Sequence, residues 1–386
     1  MPKIFFINFS YFLGHEIQNA LTELQCPFLN FEPNTVLKGK NLSEILQHTI
    51  LAILKFKPDL VLTINSNGID NSGFLSSFLE KHGIPLIVWF VDNPELFIIG
   101  KEKIYPHNSL FFTCDPHGPQ KIKRLTDIQT HVLPLAADKK IFQPISKKYI
   151  RSVSFVGSTW TSKIAACHKN FSFPRHLLLQ SAYISNLLAE HQPADGIAYI
   201  RHHYKNIYNE IIQTLSSEDQ NGFWHLVYWK ANRIYRKTCL EKTLTHNPLI
   251  AGDKYWKSLL PDEKFEFHPP IAYGNEVFKL YSLSCINFSC SSIQMSAAVT
   301  QRVFDIPASG GFVITDTREQ LNDLFDADKE SASYSSKDEI NYLIEKYLKD
   351  EKQRISIIKN ARLRIAKEHT YLHRVKKMIM IARDSY

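Results

Sequence analysis

The chain has 386 residues, of which 44% are hydrophobic and 22% charged, and its formal net charge is +8. These values exclude a low-complexity chain and a small domain that depends on disulfide bonds for stability. The length is sufficient for two or three domains with large cores. The positive charge favours anionic partners such as nucleotide phosphates or acidic membrane surfaces, whereas the scattered basic residues disfavour a dedicated nucleic-acid binder.

The first part of the chain alternates short apolar strands with amphipathic helices. The apolar runs are continuous, which is typical of strands that are buried on both faces of a parallel sheet. Apolar residues at helical spacing separate these runs, as in doubly wound α/β folds. Strands are predicted at residues 3–9, 58–65, 84–92, 109–115 and 130–138, and helices at residues 16–24, 43–54 and 73–83.

Asn or Asp follows the apolar run at the end of four of the predicted strand segments. These residues are Asn65, Asp92 with Asn93, Asp115 and Asp138. In an open parallel sheet, the loops that leave the carboxyl ends of the strands line the ligand crevice. We therefore expect the four loops to converge on one side of the sheet. The alternative at each position is that Asp or Asn begins a turn or caps a helix.

The alternating pattern restarts near residue 150, after a polar and basic segment. A new strand is predicted at 153–158, and it ends in Gly157 and Ser158. Helical patterns then replace the strands, and the alternation returns further on before a charged helical tail. The later strands are predicted at residues 264–270, 283–289 and 310–316.

This organisation predicts two domains, one at residues 1–148 and one at 149–386. The second domain carries a helical insertion at about residues 165–247. Two successive doubly wound units of this length predict one cleft between two nucleotide-binding-type domains.

The six cysteines form no CxxC pair, and several lie within apolar runs. This pattern indicates reduced thiols in a reducing compartment, and it disfavours a zinc site. The apolar N-terminal segment is too short and too polar for a signal peptide, and no apolar stretch reaches the roughly 20 residues of a spanning helix. We therefore expect a cytoplasmic protein.

The segment "QRVFDIPAS" predicts a short helix in which Arg302 and Asp305 share one face. A small, polar loop precedes this helix, and free N–H groups at a helix start favour phosphate. Arg302 adds a fixed positive charge there, while Asp305 is suited to accept hydrogen bonds from ribose hydroxyls. The alternative is a surface ion pair, worth roughly 0.3 kcal/mol.

Gly310 and Gly311 follow this helix and permit a close-packed return into the next strand. That strand ends at Asp316. Asp316 is predicted to cap the following helix, with Glu319 three residues later as the capping-box partner.

Several segments together carry a family resemblance. They are "QRVFDIPASGGFVITD", "LNDLFDADKE" and "HTYLHRVKKM", and in the N-terminal part "FINFSYFLGHEIQNAL", "KPDLVLTIN", "PLIVWFVDNPELF" and "LPLAAD". These segments resemble the CgeB-type (spore-maturation-like) glycosyltransferases, a GT-B family with a family-1-like C-terminal domain. The resemblance implies an α/β fold of two Rossmann-like domains that face a central cleft. It also implies a nucleotide-sugar donor held mainly by the C-terminal domain, without a bound metal or cofactor.

The resemblance further implies roles for individual residues. Asp305 occupies the position at which many GT-B enzymes have a ribose-binding Glu. Gly157 and Ser158 would form the first phosphate-facing turn, and Lys163 would reach the diphosphate. A partner Glu that is usual upstream is absent, and the loop offers Ser292, Gln294 and Ser296 instead. The complete set assigned to the donor is Gly157, Ser158, Lys163, Asn287, Ser292, Arg302, Asp305, Gly310 and Gly311.

Glycosyl transfer requires a stabilised leaving diphosphate and, in an inverting enzyme, a base from the N-terminal domain. Asp92 is the first candidate for this base and His15 the second. Their alternatives are a turn that begins the next helix and a structural histidine. Asn65, Asn93 and Asp115 are assigned to the acceptor side of the cleft. The acceptor hydroxyl would belong to a glycan, a protein or a lipid-linked molecule.

Residues 223–237 mix aromatic and basic side chains. Such a segment fits peripheral contact with an anionic membrane, in which a lipid-linked acceptor would be located. The alternative is a packed helix with a solvated basic face. Two other functions also remain open: a nucleotide-sugar epimerase on the same fold, and a non-catalytic sugar- or nucleotide-binding module. We expect no specific nucleic-acid partner.

Overall fold

The computed structural model describes residues 1–9, 13–33, 41–146, 148–261 and 264–385. The chain forms two compact units, Met1–Asp138 together with Tyr371–Tyr386, and Lys139–Thr370. The units therefore divide at residue 138 rather than at the predicted 148, and the first unit takes its last segment from the far end of the chain.

The first unit contains a six-stranded parallel sheet in the order β2-β1-β3-β4-β5-β6. Its strands are β1 (Ile4–Ile7), β2 (Phe28–Phe31), β3 (Leu60–Ile64), β4 (Leu86–Phe90), β5 (Ser109–Thr113) and β6 (Thr130–Val132). The central strands β3, β4 and β5 are buried along their whole length, as their continuous apolar runs predict. The strand order reverses between β1 and β3, which is where such sheets bind ligands.

Helices separate the strands of the first unit. They are α1 (Gly14–Glu23), α2 (Leu42–Phe56), α3 (Phe74–Lys81), α4 (Glu95–Ile98), α5 (Gly118–Lys123) and, from the end of the chain, α17 (Tyr371–Ser385).

The last helix, α17, packs against α1. The Arg374 guanidinium donates to the backbone oxygens of Pro134 and Leu135, and the Tyr371 ring meets the Trp89 ring edge-on at 6.1 Å between centroids. Helix α17 is therefore an integral part of the first unit.

The second unit also contains a six-stranded parallel sheet, in the order β12-β11-β10-β7-β8-β9. Its strands are β7 (Arg151–Val156), β8 (Leu249–Ala251), β9 (Glu266–His268), β10 (Ser284–Phe288), β11 (Val313–Asp316) and β12 (Ala332–Tyr334). The strand order reverses between β7 and β10. The ligand crevice of this sheet is therefore expected outside the carboxyl ends of those two strands.

The helices of the second unit lie before, between and after these strands. They are α6 (Thr161–Asn170), α7 (Arg175–His191), α8 (Gly196–His203), α9 (Lys205–Thr214), α10 (Ser217–Glu241), α11 (Trp256–Leu259), α12 (Asn275–Leu283), α13 (Arg302–Ala308), α14 (Glu319–Leu324), α15 (Glu339–Lys349) and α16 (Glu351–Glu368). Short 3₁₀ turns occupy Lys139–Ile141, Leu244–His246 and Ile293–Met295.

The long helix α10 is the core of the helical insertion and packs on α6 and α7. Phe223, Trp224 and Tyr228 on this helix are buried. Every residue of 223–237 is buried or half-buried, as the packed-helix alternative requires. Peripheral membrane contact through this segment stays a prediction, and the burial gives it no support. Over the part of the chain that the structure describes, no helix has the length and hydropathy needed to span a bilayer.

Candidate functional site

Arg302 lies at the strand-order reversal of the second sheet. It is the first residue of α13. Its guanidinium donates to backbone oxygens at the carboxyl end of β7 and in the loop just after β10. Nη1 lies 3.2 Å from the Val156 oxygen, Nη2 lies 3.2 Å from the Cys290 oxygen, and Nε lies 3.1 Å from Ser289 Oγ. These contacts hold a positive charge at the edge of the sheet where ligands are expected. Donor binding by Arg302 stays a prediction.

Asp305 lies one turn further along α13, and only 1% of its surface is exposed. Its Oδ2 accepts from the Tyr273 hydroxyl at 3.0 Å, and its Oδ1 accepts from Gln301 Nε2 at 2.8 Å. This burial does not fit the alternative of an exposed surface ion pair with Arg302. The helix is seven residues long with Pro307 inside it, so the predicted short helix is confirmed.

Gly157 and Ser158 leave the carboxyl end of β7, as predicted. The Gly157 oxygen accepts from Trp256 Nε1 at 2.8 Å, and the Ser158 oxygen accepts from Arg236 Nη1 at 2.6 Å. Arg236 is buried, and burial lowers the pKa of its guanidinium, an effect to which the neighbouring Arg302 adds. Two guanidinium groups therefore share this edge of the sheet.

The sequence analysis missed Arg236 as a site residue. It lies in the segment for which the sequence predicts a membrane contact or, as the alternative, a packed helix, nearly 80 residues after the turn that it supports. No local motif marks it, because helix α10 reaches β7 only through tertiary packing.

Lys163 is exposed on the first turn of α6. Its ammonium lies 4.6 Å from the centroid of the Trp160 ring and 5.7 Å from that of Trp229. Trp160 has a φ of 65°, a left-handed conformation that is costly for a bulky residue and that often occurs at functional sites. Lys163 thus lies beside the turn that it was predicted to serve, with its charge on two indole faces.

A close approach of backbones joins the ends of β7 and β8. A Cβ atom on Gly252 would lie 2.2 Å from the Gly157 oxygen and 2.7 Å from Trp256 Nε1. We expect Gly252→Ala to destabilise the second unit by about 1–3 kcal/mol, because the backbone must move to relieve the overlap. Urea denaturation followed by tryptophan fluorescence would measure this loss. A variant as stable as the wild type would contradict the close approach.

Asp316 does not cap the following helix, so the predicted capping box is wrong. Helix α14 begins after Arg318 and has no side-chain cap. The Asp316 carboxylate instead accepts from the backbone and hydroxyl of Ser291, from the Tyr235 hydroxyl and from the Arg318 guanidinium. It therefore fixes the loop that leaves β10, where Ser292 and the other predicted small polar residues lie.

Asn287, Gly310 and Gly311 have internal roles. Asn287 Nδ2 donates to the Tyr281 oxygen at 2.9 Å, and its Oδ1 accepts from Ser154 at 2.9 Å. Gly310 has a φ of 83°, which favours glycine, and a Cβ on Gly311 would lie 2.5 Å from the Tyr281 oxygen. These contacts stabilise the junction of α13 with the sheet, and direct donor binding by the three residues stays a prediction.

In the first unit, two of the predicted polar loops meet. Asn65 Nδ2 donates to Asp92 Oδ2 at 2.8 Å, and Asn65 Oδ1 accepts from the Val91 backbone at 2.9 Å. The two residues follow the adjacent strands β3 and β4, so the amide orients the half-buried carboxylate at the edge of the sheet. His15 is exposed on the first turn of α1.

Three other polar residues of the first unit have structural contacts. The Asn93 oxygen accepts from the Glu95 backbone at 3.2 Å, at the start of α4. Asp115 is fully buried and pairs with Lys121 at 2.5 Å. Asp138 accepts from Asn19 at 2.5 Å. The contacts of Asn93 and Asp115 agree with the turn-and-cap alternative rather than with an open crevice.

Metal ligands would be His, Cys, Asp or Glu side chains that converge on one point. Within residues 1–9, 13–33, 41–146, 148–261 and 264–385, no group of three or more such side chains could hold a metal ion. A reaction without a metal or cofactor stays a prediction.

Comparison with known proteins links this fold to glycosyl transfer. Residues 236–380, less than half of the chain, match a family model described as Glycosyl transferase-like. No curated protein matches the sequence significantly. Many solved structures share the fold.

Sucrose-phosphate synthase from Thermosynechococcus elongatus is 11% identical with a TM-score of 0.61, and the match covers 100% of this chain and 99% of that one. HepE from Anabaena, in complex with UDP-glucose, is 9% identical with a TM-score of 0.59 and full coverage of both chains. The T4 phage BGT, in complex with its UDP-glucose substrate, is 10% identical with a TM-score of 0.56, and the match covers 98% of this chain and 99% of that one. The expected two-domain GT-B fold is therefore confirmed.

Proposed function

We propose that this protein is a glycosyltransferase of the CgeB type, which moves a sugar from a nucleotide-sugar donor to an acceptor hydroxyl. The observation that carries this proposal is the position of Arg302, whose guanidinium spans the ends of β7 and β10. In parallel α/β sheets this is the edge at which ligands bind. Two of the structures with the same fold were solved with UDP-glucose, which supports an activated sugar as the ligand.

The second unit would hold the donor. Arg302 and Arg236 supply two positive charges for the diphosphate, and the turn at Gly157 and Ser158 supplies backbone groups beside it. When the bond between the sugar and the diphosphate breaks, negative charge accumulates on the leaving group. Fixed donors that face this charge stabilise the transition state more than the ground state. Lys163 would add its charge by leaving the indole faces.

Asp305 would bind the ribose of the donor. A ribose hydroxyl reaches the carboxylate when it takes over the hydrogen bond that Tyr273 or Gln301 donates. Hydrogen bonds to a charged carboxylate contribute about 1.5–3 kcal/mol each, so the bond from the ribose hydroxyl would offset the one that Tyr273 or Gln301 gives up.

The first unit would bind the acceptor, which is a glycan, a protein or a lipid-linked hydroxyl. In an inverting transfer the acceptor oxygen attacks the anomeric carbon, and its proton passes to a base. Asp92 is the best-supported base because Asn65 fixes its orientation at 2.8 Å. No metal or cofactor would take part in this step.

Donor binding is tested by thermal unfolding in the presence of UDP-, GDP-, dTDP- and CMP-linked sugars. One of these compounds, at about 100 times its dissociation constant, should stabilise the protein by about 2.7 kcal/mol. Asp305→Ala should remove this stabilisation while the unliganded protein stays folded. Asp338→Ala is the matched control, because Asp338 is an exposed carboxylate that pairs with Lys242. If the ligand stabilises Asp305→Ala as much as it stabilises the wild type, the assignment of Asp305 to the ribose is contradicted.

Turnover separates the proposal from its alternatives. Release of free nucleoside diphosphate only when an acceptor is present, with or without EDTA, would support a metal-independent transferase. Interconversion of the sugar without an acceptor would identify an epimerase. Binding without turnover across glycan, peptide and lipid-linked acceptors would identify a binding module.

A further inference from the structure

We infer that Asn232, on the insertion helix α10, is a positioning residue of the donor site. It holds in place the loop whose Ser289 and Cys290 oxygens accept hydrogen bonds from Arg302. This inference deepens the proposed function and rests on it. The helical insertion would then contribute to donor binding, although it lies outside the sheet.

Asn232 makes two hydrogen bonds to the loop that leaves β10. Its Oδ1 accepts from the Ile293 backbone at 2.6 Å and from Ser292 Oγ at 3.1 Å. The side chain is only 2% exposed, and the Ile293 amide is buried with it. A buried backbone N–H without a partner costs about 1–3 kcal/mol, so the loop is strongly tied to this one oxygen.

The same short loop also holds the Arg302 guanidinium in place. Ser289 Oγ and the Cys290 oxygen accept from Arg302, and Asn232 fixes the chain at Ile293, only three residues after Cys290. A shift of Ile293 therefore moves the acceptors that orient the Arg302 guanidinium. Asn232 contacts the loop and acts on the cation through it.

The neighbours of Asn232 on the same helix face contact the other crevice loop. Trp229 and Arg236 are three residues before and four residues after it, so the three side chains lie on one side of α10. Arg236 donates to the Ser158 oxygen, and the Trp229 ring shares the Lys163 ammonium with Trp160. One helix face thus contacts both loops that leave β7 and β10.

The other atom of the amide gives a competing explanation. Asn232 Nδ2 is buried and has no hydrogen-bond partner in the part of the chain that the structure describes. A buried donor of this kind could serve a bound water or the ligand itself. The positioning role assigns the function to Oδ1, so the two atoms must be tested separately.

The test uses two variants of the full chain. Asn232→Asp keeps an oxygen for Ile293 and Ser292 but lacks the amide hydrogens, whereas Asn232→Leu keeps the size and loses both. Isothermal titration would measure the binding of UDP, GDP and dTDP. For the nucleotide that the wild type binds, we expect Asn232→Leu to raise the dissociation constant about tenfold. The dissociation constant of Asn232→Asp should stay within about threefold of the wild-type value.

Asn186→Leu is the matched control, because Asn186 is an exposed amide on α7. It should leave the affinity unchanged. If Asn232→Leu does not fold by circular dichroism, Asn232→Ala carries the same test with less bulk. Its affinity should fall about tenfold, and its thermal midpoint without ligand should fall by a few degrees, because the Ile293 amide loses its partner.

Three results would overturn the inference. If Asn232→Leu binds as the wild type does, the loop does not depend on Asn232. If Asn232→Asp is as weak as Asn232→Leu, an oxygen at this position is not sufficient, and the role assigned to Oδ1 fails. If the wild type binds none of the three nucleotides, the proposed function fails and the inference fails with it.

Discussion

Replacement of Arg302 by methionine is expected to lower kcat/KM by about 100- to 1,000-fold, or roughly 3–4 kcal/mol of transition-state stabilisation. Methionine fills much of the same space but removes the charge and all three hydrogen bonds to β7 and β10. The leaving diphosphate would then lose a donor group that three hydrogen bonds hold in place. Steady-state release of nucleoside diphosphate, with the donor found in the binding screen, measures the effect.

Two controls separate this role from a general loss of structure. Arg302→Lys retains the charge without the planar donor group, so its activity should lie between those of the wild type and Arg302→Met. Arg151→Met removes a partly exposed arginine from the opposite end of β7, where it pairs with Glu266, and should leave kcat/KM unchanged. Equal activity of Arg302→Met and Arg151→Met would contradict the assigned site.

Replacement of Asp316 by alanine should have the largest effect on stability, a loss of about 3–5 kcal/mol for the second unit. Asp316 and Arg318 are both buried, and alanine leaves the Arg318 charge without its carboxylate partner. It also removes the acceptor for the backbone and hydroxyl of Ser291 and for the Tyr235 hydroxyl.

The same carboxylate predicts a pH dependence. Burial by itself would raise the pKa of Asp316, but the Arg318 charge and the hydrogen bonds from Ser291 outweigh burial and lower the pKa. A carboxylate with a lowered pKa stabilises the folded state above the pKa of the unfolded chain, about 4 for Asp. This stability is present at neutral pH and is lost as the pH falls through the folded-state value. Asp316→Asn should therefore be less stable than the wild type at pH 7, and the difference should shrink below pH 4.

Urea denaturation followed by tryptophan fluorescence suits this measurement. Four of the five tryptophans, Trp160, Trp224, Trp229 and Trp256, lie in the second unit, so the signal reports mainly on it. Asp338→Ala, which removes an exposed ion pair, should cost less than about 1 kcal/mol. A loss in Asp316→Ala no larger than in this control would contradict the role of the buried pair.

The strands that the sequence identifies most directly are those with long apolar runs. In β3, β4 and β5 every residue is buried, so the apolar pattern by itself identifies them. The sequence pattern does not identify β2, β8 and β12, which have only three or four residues each. The equally short β6 and β9 lie within longer predicted segments, 130–138 and 264–270. Three or four residues by themselves have no measurable periodicity. Such a segment becomes a strand because a neighbouring strand, distant in sequence, supplies its hydrogen bonds.

The candidate site was predictable to the extent that its chemistry is local. Arg302 was predicted to be near the crevice because its own helix follows a strand and a polar loop. Arg236 and Asn232 could not be found in this way, since about 60 to 80 residues separate them from the loops they contact. The error at Asp316 has the same cause, because a local capping pattern was outweighed by partners that only the folded chain provides.

The position of α17 has a consequence for biosynthesis. A ribosome completes residues 1–138 long before it reaches Tyr371–Ser385, and the second unit is made in between. Until then, the side of α1 that α17 covers stays open to water or to chaperones, and the backbone oxygens that Arg374 will bind lack this partner. The first unit to emerge is thus the last to be completed, whereas residues 139–370 contain everything that their own sheet needs.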